Sequence, residues 1–518
     1  MTTTTRYHAA LAGVTAAAVA LGSAELVAVL TGPRSAPLVA VGGLVVDTVP
    51  EPLKQVGIAL FGTYDKIALL IGTALLLAGF AALLGMLSQR RLAYGLTGVA
   101  AFTALGVGAA LTRAGADGAD ALPALVGGGL GAVVLWAFIA GPLELDPWPW
   151  SPPVPPAEPA TPDPESRRRF LAATGLLLGA AGVAGLGGRW LAGRQGVSAA
   201  RSAVTLPPPV SPAPAVPAGA DLEVPQLASY VTPNTGFYRI DTALVVPQVD
   251  PATWRLRIHG RVRNPITLTF DDLLARPMVE RYVTLACVSN EVGGDLIGNA
   301  RWLGVPLKEL LDEAEPEEGA DQVVGRSVDG WTCGTPTAVL RDGRDALLAV
   351  GMNGEPLPVE HGFPARVVVP GLYGYVSACK WVTELELTSF ADFDAYWVPR
   401  GWSAQGPIKT QSRIDTPRPR NRLTAGPVTV AGVAWAQHRG IRRVEVRVDE
   451  GPWREADLAA TVSVDTWVQW SWRWDATPGE HRLEVRATDS TGETQTGRRS
   501  ALAPDGATGW HAVRVTVR

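Results

Sequence analysis

The stretch with the most chemistry in it is Arg281-Tyr282-Val283-Thr284-Leu285-Ala286-Cys287-Val288-Ser289-Asn290, where a strand-like apolar run delivers one cysteine into a polar turn. A second island follows at Val359-Glu360-His361-Gly362-Phe363-Pro364-Ala365-Arg366-Val367-Val368-Val369-Pro370-Gly371, with Lys380-Trp381 shortly after it. A single soft thiolate can ligate a transition metal, which makes Cys287 the candidate metal ligand. His361, Arg366 and Lys380 together carry donors suited to a phosphate. Each has a plainer reading. Cys287 alone is a small buried hydrophobe, His361-Gly362-Phe363-Pro364 is a turn before a buried strand, and Lys380 is a solvated strand end. Lys380 is, however, one of five lysines in an arginine-rich chain, and the features occur together. A metal carried on a phosphorylated organic cofactor accounts for the combination.

The arrangement resembles the sulfite oxidase family of molybdopterin enzymes, in which one cysteine binds molybdenum and an H-G-F-P-x-R segment followed by K-W grips the pterin phosphate. The resemblance implies a molybdenum–molybdopterin cofactor, with Cys287 on the metal and His361, Arg366, Ser377 and Lys380 on the pterin. It extends to Thr232-Pro233-Asn234-Thr235-Gly236-Phe237-Tyr238-Arg239-Ile240-Asp241. In the family such a segment lies on the pterin and supplies backbone contacts and a pocket arginine. This implies Tyr238, Arg239 and Ile240 at the cofactor, with Arg239 also in the substrate pocket; a solvated turn residue is the other reading of Arg239. Asn290 and Trp302 are implied pocket neighbours, and Trp302 reads equally as a packed strand aromatic. The implied activity is exchange of an oxygen atom with a small substrate, the cofactor carrying the chemistry and the protein shaping the pocket.

The match departs from the family at the substrate. Its sulfite oxidases place two arginines at the fourth and fifth positions after the metal cysteine; Glu291 and Val292 stand there in this chain. The tyrosine expected before a K-G-F-like turn is replaced by Pro399, ahead of Arg400-Gly401-Trp402. One extra residue between Pro370 and Lys380 puts Ala378 where a serine is usual and displaces Ser377. Arg239 and Arg400 remain as contacts for an anion. A sulfoxide or other neutral oxo-acceptor suits this less basic pocket better than sulfite.

The elements that must carry this site begin with membrane-like segments. Apolar runs at about 8–30, 66–87, 91–112 and 122–141 are long enough to span a bilayer. Arg6 and Arg90-Arg91 place their flanks in the cytoplasm, and the loop near Ala114-Gly115-Ala116-Asp117 outside. Trp148 and Trp150 suit the interface, and a proline-rich linker over 147–164 cannot form helix. It ends at Ser166-Arg167-Arg168-Arg169-Phe170-Leu171, which matches the S-R-R-x-F-L pattern of twin-arginine export signals; a positive-inside stop before a fifth span at about 170–188 is the plainer reading. Export of a folded protein suits a cofactor inserted before crossing. Glu25 is the one acidic residue inside a span, either a functional site or an interfacial residue near the helix end. Of six histidines only His8 precedes residue 250, so bis-histidine haem in the bundle is excluded, and no C-x-x-C-H is present.

The folded soluble half starts after a Pro/Ala-rich linker at about 205–219. Residues 225–400 alternate short strands, turns and brief helices, including the strand Trp254–Gly260, on which His259 is structural, and a helix capped by Thr269. Beyond about 413, period-two runs at Val428–Trp435, Ile441–Val448, Trp467–Trp474 and His481–Arg486 predict an immunoglobulin-like sandwich. Its V-x-G-x-A-W and I-R-R-V-E-V wording is similar to the family's C-terminal dimerisation domain, which implies a homodimer.

The expected fold is multi-domain. It comprises a four-helix transmembrane region (1–146), a cytoplasmic linker ending in the arginine motif (147–169), a fifth transmembrane helix (170–190) and a second linker (191–224). An α+β sulfite-oxidase-like molybdopterin domain (225–412) and an immunoglobulin-like β-sandwich (413–518) complete it. This predicts a five-span protein of the cell membrane with a cytoplasmic N-terminus and an extracytoplasmic catalytic half. Membrane lipid, the export machinery and a separate electron carrier, a cytochrome or the quinone pool, are its expected partners. A net charge of −4 gives no sign of nucleic-acid binding. Three cysteines without CxxC spacing exclude zinc ribbons and iron–sulfur clusters, and leave Cys333 and Cys379 either paired or free. The competing class is a non-enzymatic, membrane-anchored binding module with an immunoglobulin-like tip.

Overall fold

The computed structural model describes residues 3–50, 60–61, 65–143, 164–194 and 196–518. They form two compact units, one of Met1–Gly196 with Thr242–Val246 and the other of Val197–Asp241 with Pro247–Arg518.

In the first unit, five helices are long and apolar enough to cross a membrane: Arg6–Thr31, Ile67–Ser88, Leu92–Leu111, Gly118–Ile139 and Arg167–Leu191. They coincide with the five expected runs. Small residues let their backbones touch. A Cβ on Gly13 would sit 2.0 Å from the Ala81 carbonyl oxygen, and one on Gly127 2.4 Å from that of Ala20, the close approach by which apolar helices pack without a hydrophobic driving force. A short apolar helix at Pro37–Thr48 escaped the sequence reading because twelve residues cannot span a bilayer. Glu25 is paired with Arg189 at 3.1 Å. Of the arginine motif, Phe170 is buried, its ring 4.9 Å from Phe138 and 5.2 Å from His8. Most of the expected proline-rich linker, with Trp148 and Trp150, lies outside the described residues.

The second unit holds two sheets and a sandwich. The first sheet has the order Ile266–Thr269, Arg255–Gly260, Val382–Thr388, Gln322–Ser327, Thr332–Pro336. His259 pairs there with Glu384 of the adjacent strand at 3.0 Å, a structural role. Thr269 caps its helix as expected, and Asp272 completes a capping box, each side chain accepting the other's backbone N–H. The second sheet contains the strand that precedes Cys287. Val279–Ala286 pairs with Ile297–Pro306, which pairs with Leu347–Met352, and the last also takes Arg366–Val368. The apolar end of Val279–Ala286 is fully buried, as its sequence demands, so the strand ends with Cys287 at the core's edge.

The sandwich packs the sheet Gln411–Thr416, Gly426–Trp435, Val468–Ala476, Asp457–Leu458 on the sheet Arg422–Leu423, His511–Val517, Gly479–Asp489, Ile441–Val448, Arg454–Glu455. Val430, Val444, Leu483, Val485 and Trp470 fill the space between them. Two expected boundaries need correction. The division at 412/413 falls inside the strand Gln411–Thr416. The linker at 205–219 is in part sheet-edge structure: Val210 N–H donates to Met278 O at 2.8 Å and Glu280 N–H to Ser211 O at 2.9 Å. Proline, lacking a donor, is compatible with such an edge, and here the edge belongs to the cysteine strand itself.

Thr284 ties that strand to the sandwich. Its N–H donates to Asp465 O at 3.0 Å, its carbonyl accepts Gln437 Nε2 at 2.9 Å, and its hydroxyl oxygen accepts Trp467 N–H at 2.8 Å while donating to Asn299 Oδ1 at 3.1 Å. All of this is buried, where an unmade hydrogen bond costs about 1–3 kcal/mol. The immunoglobulin-like layer is thus a support for the site.

Candidate active site

Cys287 follows directly on its strand, its N–H donating to Leu296 O at 2.9 Å across the base of a tight loop. The Ser289 N–H points back at the thiol, 3.4 Å from Sγ. Burial pushes the Cys287 thiol up, opposed by the Ser289 hydrogen bonds. A metal ion in place of the proton is what makes such a thiol a thiolate. The loop is braced from the sandwich. Arg413 Nη1 donates to Gly294 O at 2.8 Å. Gly293 (φ +83°) lies so close to His511 that a Cβ would stand 2.1 Å from its ring. Asn290 Oδ1 accepts Leu296 N–H at 2.9 Å, which fixes the amide, and its buried Nδ2 has no partner among the described residues.

The expected phosphate-binding residues do converge. Val359–His361 is a tight turn closed by Gly362 in the left-handed region (φ +114°). A Cβ there would meet Arg366 Cβ at 3.0 Å and Lys380 Cα at 3.2 Å, so glycine permits the approach of the two cations. Arg366 is buried. Its Nη1 donates to His361 O at 3.1 Å, its guanidinium carbon lies 5.0 Å from the Trp302 ring centroid, and its Nε has no partner among the described residues. Burial lowers its pKa to about 10. His361 Nε2 lies 3.2 Å from Asn234 O, and burial, with Arg366 nearby, lowers its pKa to about 4, so the imidazole is neutral. Lys380 donates to Asp241 Oδ2 at 2.8 Å and Glu360 O at 3.2 Å, its ammonium 4.5 Å from the Trp381 centroid. Desolvation lowers it to about 8 despite Asp241.

Tyr238 stacks on Phe237 at 5.2 Å, and burial raises its hydroxyl pKa, with Cys287 and Arg366 both near enough to act on it. The cysteine loop, Tyr238 and the Arg366 cradle therefore adjoin one another. The other expected residues are placed differently. Arg239 is partly exposed and held by Asp241 at 2.9 Å; Ile240 is exposed. Trp302 is fully buried with its N–H on Val283 O at 3.1 Å, a packed strand aromatic whose ring face supports Arg366. Ser377 is buried with its hydroxyl on Tyr373 O at 2.9 Å. Arg400 lies over Tyr396, 3.7 Å from the ring centroid, and donates to the Tyr396 carbonyl. Glu291 is exposed and Val292 half-buried. Sequence reasoning missed Asp241, whose only signal was its place two residues after Arg239. It also missed Tyr373, which burial raises to about 12 and which Cys287 and Asp505 influence. Cys333 and Cys379 are buried free thiols brought together beside Gly325, where a Cβ would lie 3.1 Å from Cys333 Sγ and 3.6 Å from Cys379 Sγ.

The donor set fits the expected group. A lone buried guanidinium with an unpaired N–H, beside a lysine and a neutral imidazole, calls for an anion, and an adjoining isolated thiol for a soft metal.

Comparison with known proteins agrees. Residues 243–397 match the oxidoreductase molybdopterin binding domain and residues 411–485 a bacterial Ig domain. Mitochondrial sulfite oxidase of Rattus norvegicus is 32% identical over 288 residues, 47% of this chain and 52% of that protein. An uncharacterized oxidoreductase of Bacillus subtilis, YuiH, is 34% identical over 182 residues, 34% of this chain and 87% of that one. Among solved structures, the sulfane dehydrogenase SoxCD from Paracoccus pantotrophus superposes with a TM-score of 0.50 at 26% identity, covering 56% of this chain and 82% of that one. The chain spans about half the length of the mitochondrial enzymes it matches.

The two depressed histidines predict a pH dependence. His361 and His511, each lowered by burial to about 4 from an ordinary 6.5, stay neutral in the native state while the unfolded chain takes up protons. Their contribution to stability is complete above pH 6.5 and is lost as pH falls toward 4. The thermal midpoint of the parent should therefore drop between about pH 7.5 and about pH 5, and His511→Gln should show a smaller drop. An equal drop in the variant contradicts this.

Proposed function

Because the chain belongs to the sulfite oxidase family of molybdopterin-dependent oxidoreductases, we propose that it is a membrane-anchored enzyme that exchanges an oxygen atom with a small substrate. One observation carries the reading: the buried Arg366, whose Nε has no partner among the described residues, and the buried Cys287 thiol both lie beside Tyr238. When bound, the molybdenum–pterin cofactor supplies two-electron oxygen-atom transfer. Cys287 would hold the metal, and Arg366, Lys380 and His361 the pterin phosphate. Tyr238 and Trp302 wall the cradle and keep water from it. The neutral His361 offers one N–H or one lone pair and no charge. Asn290 Nδ2 is a fixed donor without a protein acceptor, suited to an oxygen atom near the metal.

The substrate follows from the charges around the thiol. Glu291 and Val292 stand where sulfite oxidases place arginines, Arg239 is tied to Asp241, and Arg400 is stacked on Tyr396. Dianionic sulfite would find few uncommitted cations, whereas a neutral sulfoxide-like acceptor needs one donor. We assign onward electron transfer to a separate carrier, a cytochrome or the quinone pool, in keeping with the one histidine, His8, that precedes residue 250. A non-enzymatic binding module would have no use for the cradle.

Metal and pterin analysis of the purified full chain tests this directly. Molybdenum and pterin should be present, and sulfoxide reduction with a reduced viologen should exceed sulfite oxidation with ferricyanide. Cys287→Ser should lose both activities, since a hydroxyl is a poor soft-metal ligand. A fully active variant, or a parent free of molybdenum, overturns the assignment.

Five apolar helices with Arg6, Arg90-Arg91 and Arg167-Arg168-Arg169 on one side support a multi-pass protein with a cytoplasmic N-terminus and its catalytic half outside. The twin-arginine reading carries a sharper prediction. Arg167→Lys with Arg168→Lys keeps both charges but should leave the C-terminal half inside, because guanidinium groups and not charge alone are read. Protease accessibility in spheroplasts measures it. Export at the parental level would falsify the signal and leave only the anchor; the burial of Phe170 against Phe138 gives that residue a packing role in either case.

A further inference from the structure

The geometry points to Asp241 as a positioning residue for the cofactor phosphate, one that orients Lys380 and Arg239 and sets the net charge of the cradle. The assignment rests on the molybdopterin reading above. Asp241 is a carboxylate in a pocket built for an anion, so its presence needs a reason. Its side chain is 4% exposed. One oxygen, Oδ2, accepts both Lys380 Nζ at 2.8 Å and Arg239 Nε at 2.9 Å; Oδ1 lies 3.5 Å from Arg239 Nη2. The ammonium also donates to Glu360 O, at 3.2 Å. Two of its three protons are thereby directed, leaving the third for a further acceptor.

The charges match a phosphate. Arg366, Lys380 and Arg239 are positive, Asp241 is negative and His361 is neutral, a net charge of plus two; a phosphate monoester carries about −1.5 to −2 near neutral pH. Without Asp241 the cradle would hold three like charges close together, and Lys380 would lose the partner that keeps it protonated against desolvation. The groups that face Lys380 are Asp241 and Arg239 from the Phe237–Asp241 segment, Arg366 from its strand, and His361 with the exposed Glu360 from the intervening turn. Among the described residues, Asp241 is the one that combines burial with a negative charge in contact with the ammonium.

A competing role is that of placeholder, in which Asp241 occupies the cations until phosphate displaces it. The two roles give opposite results. As a positioning residue, Asp241→Asn should lower pterin retention, and more so as pH rises, because Lys380 then deprotonates earlier. The full chain in detergent would be loaded at about pH 6.5, held across a pH series, gel-filtered, and assayed for molybdenum and for pterin fluorescence after denaturation. The pH at which half the pterin is lost should fall by about one unit or more in Asp241→Asn, the influence of a nearby opposite charge. Asp241→Glu should restore most of the parental profile, which separates charge from packing, and it keeps the test decisive if the asparagine variant folds poorly. Asp241→Asn with retention equal to or better than the parent, or Asp241→Glu no better than Asp241→Asn, overturns the assignment alone. A parent without pterin overturns the cofactor reading and this assignment with it.

Discussion

Arg366 is a positive charge in a place that water does not reach, and much of the second unit is arranged around it. Desolvating a guanidinium costs several kcal/mol. The face of Trp302 returns about 2 kcal/mol at most sites of this kind, and the His361 carbonyl adds one hydrogen bond. Neither neutralises the charge. The remaining demand is for an anion: burial pushes the Arg366 pKa down, and its Nε has no partner among the described residues. A carboxylate in contact would have met it. Asp241 is instead bonded to Lys380 and Arg239.

The surrounding architecture serves to keep this cradle beside the thiol. Gly362 lets the two cation-bearing segments approach, since any side chain would push Arg366 from Lys380. Arg366–Val368 and Val279–Ala286 belong to one sheet, separated by Ile297–Pro306 and Leu347–Met352, so hydrogen-bond ladders set their separation. The sandwich fixes the far side of the cysteine strand through Thr284 and braces the loop through Arg413 and His511. Sandwich and cofactor domain accordingly form a single compact unit.

Much of this was legible in the sequence because it is periodic. The buried run ending at Cys287, the Val367-Val368 strand, the sandwich alternation and the five apolar helices each repeat a pattern with one structural solution. The family resemblance brought His361, Arg366 and Lys380 together, and the structure places them so. What escaped depends on long-range pairing or on a residue's neighbours. Asp241 reads as a turn acid until Lys380, 139 positions away, is seen to bond it. Ser377, displaced by one residue from the usual serine position, turns its hydroxyl to the start of its own short helix. The Pro-rich segment at 205–219 has a linker's composition, yet it adds to the cysteine strand through a few carbonyls and N–H groups. Trp302 sends its N–H to Val283 O and its ring face to Arg366, contacts that its place in the strand does not reveal.

The central claim is that Cys287 is the protein's ligand to a pterin-bound molybdenum. Molybdenum K-edge X-ray absorption on the purified chain tests it most directly. The parent should show three sulfur neighbours, two from the pterin dithiolene and one from Cys287, and Cys287→Ser should show two at whatever occupancy it retains. An unchanged sulfur count in the variant, or a parent with only two, contradicts the account.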